Sequence, residues 1–157
     1  LAILPVGHKV GQWPLRLLAT PGHELVTRIA AVADTDLHNE PLSDAQPPAW
    51  HKELNHESAR FFWSHPTLEP SLVSGNETLI KDAFTECNLK APDPVTTETV
   101  DQYFDRNPAN KGRFALALAL LIDQNLRSVT VPNHISDAFA WLYDGSEPSS
   151  TPIDDVV

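Results

Sequence analysis

The chain has 157 residues, 41% of them hydrophobic, and a formal charge of −10 from 21 acids against 11 bases. That is enough length for one domain with a sizeable core, and no run approaches the ~18 apolar residues of a membrane span. The acidic balance argues against a broad basic surface for nucleic acid, and the single Cys87 excludes a disulfide framework and a cysteine-rich zinc site.

In chain order, residues 1–6 predict a strand, closed by Gly7-His8-Lys9. The chain contains no Met and starts on that strand without a charged leader, so it reads as part of a longer polypeptide. Residues 10–19, with Trp13, Leu15, Leu17 and Leu18, predict a helix in which Pro14 falls in the tolerant first turn. Pro21-Gly22 ends it, and a strand over 25–33 follows. Strand, helix and strand in that order form a βαβ unit with parallel strands.

The second strand ends in Asp34-Thr35-Asp36. A short apolar run that stops at polar punctuation reads as a buried parallel strand, and open α/β sheets bind ligands beyond the carboxyl ends of such strands. Two carboxylates there repel unless a positive group lies between them, and a divalent cation is the usual one. The alternative is a turn in which Asp side chains bond local backbone.

Residues 39–55, with Pro41, Pro47, Pro48 and Trp50, predict a loop. An aromatic strand is expected over 57–64 and a short helix over 67–73, with Thr67 as N-cap. Helices are expected over 77–89, 97–104, 111–125 and 135–143. The fifth of these six helices is apolar nearly all round and is expected to be buried on several sides. Residues 1–144 then form one domain, and 145–157 a disordered tail. The seven histidines show no metal-binding spacing; His134 and most others fall in expected loops.

Four pieces in this order resemble a TOPRIM domain: Ala33-Asp34-Thr35-Asp36, Thr67-Leu68-Glu69, Lys111-Gly112-Arg113-Phe114-Ala115 and Val131-Pro132-Asn133-His134-Ile135. In particular they resemble the C-terminal nuclease half of OLD-family (overcoming lysogenization defect) ATP-dependent endonucleases. The resemblance implies a TOPRIM-like, Rossmann-like parallel sheet flanked by helices, with a helical C-terminal part. It further implies a cytoplasmic, metal-dependent DNA endonuclease, homodimeric through the parent protein, using Mg²⁺ or Mn²⁺. ATP would bind only in an upstream ATPase part, and defence against phage would be its process. Two features depart from the family. The glutamate-glycine strand that opens TOPRIM folds would lie before Leu1, and His65-Pro66 stands where members often carry a lysine.

The chemistry asks for a nucleophilic water, a neutralised phosphate and a stabilised leaving oxygen. Two hard cations ~3.5–4 Å apart supply all three. Asp34, Asp36 and Glu69 are the candidate ligands, with Glu69 and Lys111 as candidate catalytic groups. Glu69 also suits a plain role at the helix dipole. Lys111, at a helix start where a cation is the wrong charge, is expected to act on phosphate and to be dispensable for stability. The competing assignments are a haloacid-dehalogenase-like phosphatase, with Asp34 as nucleophile and Asp36 as acid/base, and a degenerate TOPRIM module that only dimerises or binds a partner. His38 two residues after the Asp pair, where Thr or Val is usual, disfavours the phosphatase.

Overall fold

The computed structural model describes residues 2–3, 12–20, 22–38, 40–50, 58–124 and 128–145. The strand expected over 1–6 lies outside them but for Ala2 and Ile3, as does the tail beyond Gly145. Among the described residues the chain is mixed α/β, with two strands and six α-helices. They fall into two compact units, one of residues 1–35, 40–64 and 133–157, the other of 36–39 and 65–132.

The first unit holds the sheet. Helix α1 (Gln12–Ala19) is followed by β1 (Ile29–Asp34), which pairs in parallel with β2 (Ala59–Ser64). β1 starts four residues later than the apolar pattern from Leu25 suggests. The reason is local: the Leu25 and Val26 N–H groups both donate to the Leu18 carbonyl, so these residues close the end of α1. Parallel strands need a long crossover, and here it runs from Thr35 to Ser58 with a short 3-10 turn at Leu42–Asp44.

The register pairs Ile29 with Ala59 and continues to Asp34 with Ser64. Side chains alternate across a strand, so Ala31, Ala59 and Phe61 share one face with Leu15 of α1 and Trp50. Trp50 packs on Phe61 at 5.9 Å between ring centroids. Ala30 and Phe62 share the other face, against Ala138, Trp141 and Leu142 of α6 (Asn133–Asp144).

The second unit is helical, with its own core. It contains α2 (Leu68–Ser71), α3 (Glu77–Glu86), α4 (Thr97–Arg106) and α5 (Lys111–Asp123). Leu79, Ile80, Ala83 and Phe84 recur at helical spacing on α3, and all four are buried. Phe84 is the hub, with ring centroids of Tyr103 and Phe114 at 4.9 Å and Phe104 at 5.6 Å. Thr96 and Thr99 close a reciprocal capping box at the start of α4.

Helix α5 is not buried on several sides. Only Phe114, Ala117 and Leu118 are buried, while Leu116 is 63% and Leu120 45% exposed. Alternating leucine and alanine hides the phase of the buried stripe, because it leaves no polar face to mark the outside.

Candidate functional site

Asp34 is the last residue of β1, exposed, and opposite Ser64, the last residue of β2. The next residue keeps the ladder going for one more bond, as the Thr35 N–H donates to the Ser64 carbonyl at 3.0 Å. Asp34 therefore stands at the carboxyl edge of the parallel pair, the position its sequence pattern implies. It is also on the α6 face, because it is two and four residues on from Val32 and Ala30.

Ser64 is 1% exposed, and its hydroxyl lies 3.0 Å from His134 Nε2. His134 is in the first turn of α6, one residue after its start, rather than in the loop expected before Ile135. Burial pushes its pKa below the ordinary 6.5, with the nearby Asp137 charge pulling the other way. Desolvation dominates, and it favours the neutral imidazole. No sequence spacing could have joined two residues 70 apart.

Asp36 belongs to the second unit and is exposed. Its φ is 57°, in the left-handed region that Asp tolerates better than most residues, and its N–H donates to the Pro66 carbonyl at 3.0 Å. Two residues on, His38 Nδ1 lies 2.9 and 3.0 Å from the two carboxylate oxygens of Asp101 on α4. Asp101 is a buried acid at 8% exposure, so this partner answers for its burial. Neither His38 nor Asp101 stands out in the sequence, where they are 63 positions apart.

Glu69 and Lys111 come together. Lys111 Nζ donates to Glu69 Oε2 at 2.9 Å, and Thr67 Oγ1 donates to the same oxygen at 3.0 Å. Thr67 has N-cap backbone geometry, but its hydroxyl makes no cap to the helix backbone. The start of α5 is also partly spoken for: the Lys111 N–H donates to the Pro108 carbonyl at the end of the 3-10 turn Pro108–Asn110. One fewer free amide is then offered to an incoming anion.

Among the described residues, no three His, Cys, Asp or Glu side chains gather closely enough to hold a metal ion. Asp34 and Asp36 are both exposed residues, and carboxylates are the hard oxygen donors that Mg²⁺ and Mn²⁺ prefer. Glu69 is engaged with a lysine. No helix among the described residues is long and apolar enough to cross a membrane. No family model, curated protein or solved structure matches the chain.

Proposed function

We propose that this chain is the α/β part of a divalent-metal-dependent DNA endonuclease of the TOPRIM type, built like the nuclease half of OLD-family enzymes. Asp34 carries the reading: an exposed carboxylate that closes a strand at the carboxyl edge of a parallel pair. Asp36, two positions further along the chain, supplies a second acid. The donor chemistry fits, since Mg²⁺ keeps several waters and commonly takes only one or two carboxylates from protein. When bound, such a cation neutralises phosphate charge and acidifies a water.

The chain's own groups have separate tasks. In the sheet unit Asp34 would be a ligand for the cation, and in the helical unit the resemblance assigns Asp36 and Glu69 to metal and Lys111 to phosphate. Lys111 would have to leave its ion pair with Glu69 to act there, which would also free that acid as a ligand or proton acceptor. DNA is the substrate, ATP acts in an upstream part of the parent protein, and the parent is a cytoplasmic homodimer.

The test uses plasmid cleavage by the parent protein in Mg²⁺ or Mn²⁺. Asp34→Ala should remove most cleavage without lowering the melting temperature, because an exposed acid at a strand mouth adds little to the core. Cleavage by that variant near the original rate overturns the assignment.

A non-catalytic reading has one observation in its favour. The Glu69–Lys111 pair ties up two of the four expected site groups in an ion pair that holds α2 to α5. In that case the chain is a degenerate TOPRIM module that dimerises or binds a partner. It should then bind Mn²⁺ no better than any acidic surface.

A further inference from the structure

We infer that the outer face of α5 pairs with the same face of a second copy of this chain, the two helices running antiparallel. This gives a surface to the homodimer of the reading above; it rests on that homodimer and on nothing about metal or cleavage. All of its residues lie on one helix of the helical unit. Phe114, Ala117 and Leu118 mark the buried stripe of α5. On the opposite side Ala115, Leu116, Ala119 and Leu120 are all exposed, and none of them carries a polar side chain. Leu116 and Leu120, four residues apart, stand one above the other on that face.

The charges of the helix set the occupant and its direction. Arg113 is a cation in the first turn, and Asp123 is an acid at the last residue. Each has the wrong sign for its own end of the helix dipole. Arg113 gives one N–H to the Cys87 carbonyl at 2.7 Å, which leaves the rest of its guanidinium donors. The Asp123 carboxylate has no hydrogen-bond or ion-pair partner among the described residues. Beside a second copy the signs come right. Positions 113 and 123 each lie five residues from Leu118, and positions 116 and 120 each lie two residues from it. A two-fold axis level with Leu118 therefore sets Arg113 level with the second copy's Asp123, and Leu116 level with its Leu120. A parallel pair would instead set Arg113 on Arg113 and Asp123 on Asp123. One helix face falls at the small end of interfaces, so the dimer is weak and concentration-dependent.

Sedimentation velocity of the 157-residue chain decides the point. From about 10 μM to about 1 mM, the range of a weak complex, wild type should pass from monomer toward dimer. Leu116→Glu, at an exposed position, should abolish the dimer. Arg113→Glu and Asp123→Arg should each weaken it by about 10-fold, because each sets like charges level with one another twice per dimer. An equimolar mixture of these two variants should restore the dimer, since one chain then carries acids at both positions and the other carries cations. Both substitutions put the favourable sign at their own helix end, so melting temperatures in dilute solution should hold or rise. A wild-type chain that stays monomeric throughout, or a dimer that survives Leu116→Glu, overturns the inference. So does a mixture that associates no better than its separate components. Cleavage enters none of these outcomes, so an absent α5 dimer and an Asp34→Ala parent that still cuts DNA are told apart.

Discussion

Lys111 Nζ sits 2.9 Å from Glu69 Oε2, and this single contact fastens the first residue of α5 to α2. The lysine side chain is 33% and the glutamate 14% exposed, so the pair is half out of water. Within its own helix, Lys111 is a cation at the positive end of the dipole and should be harmless to remove. Its partner on another helix reverses that expectation.

Lys111→Ala should therefore destabilise the chain by about 1 kcal/mol, a value between exposed pairs and buried ones. For a chain of this size that is a fall of roughly 2–4 °C in melting temperature. Glu69→Gln should cost less, since the freed lysine reaches solvent. Thermal unfolding of both variants and of the double variant measures the coupling. Zero coupling means that the pair holds nothing.

The imidazole of His134 makes stability depend on pH. Its folded pKa lies below the ordinary 6.5, so above that value the ring is neutral in both states and contributes no pH dependence. As the pH falls below about 6.5, the unfolded chain takes up the proton more readily than the folded one, and stability drops. The decline continues until the pH passes the lowered folded value. Urea midpoints between pH values of about 7.5 and 5 should fall less steeply in His134→Gln than in the wild type. Parallel curves contradict the assignment.

Phe84 and Leu116 should behave as opposites. Phe84 is fully buried among three other rings, so Phe84→Ala should cost about 3–5 kcal/mol. Leu116 lies on the open side of α5, and Leu116→Ala should stay within about 0.5 kcal/mol of wild type. Equilibrium denaturation of the two variants checks the face of α5 that packs inward.

Asn76 clasps a distant segment of backbone. Its amide donates to the carbonyls of Leu72 and Thr130, and its carbonyl oxygen accepts from the Thr130 N–H, each at 2.8 Å. Gly75 beside it has φ +77°, and a Cβ there would meet Thr130 Oγ1 at 3.0 Å. Asn76→Ala should cost about 1–3 kcal/mol by leaving these backbone groups unpaired. Hydrogen exchange at the Thr130 amide should speed up together with that loss, and an unchanged rate there contradicts the clasp.

What could be read in advance follows the reach of each interaction. Helices α3, α4 and α6 show in the sequence because their apolar residues repeat every three or four positions. β2 shows because its aromatic run is bounded by polar residues. The start of β1 does not, since Leu25 and Val26 are apolar yet spend their N–H groups on Leu18. The position of Asp34 at a strand mouth is also legible, from an apolar run that stops. The partners of Lys111, His38 and Ser64 are not, because each bond joins segments that only folding brings together.

The division into two units has a spectroscopic consequence. All four tryptophans, Trp13, Trp50, Trp63 and Trp141, belong to the unit that holds the sheet. The Phe84 hub of the other unit contains phenylalanine and Tyr103 alone. Tryptophan emission therefore follows the sheet unit, while the proton ring resonances of Phe84, Phe104 and Phe114 follow the aromatic hub. Coincident traces during unfolding mean that the two units melt as one. Separated traces resolve two transitions in a single unlabelled sample.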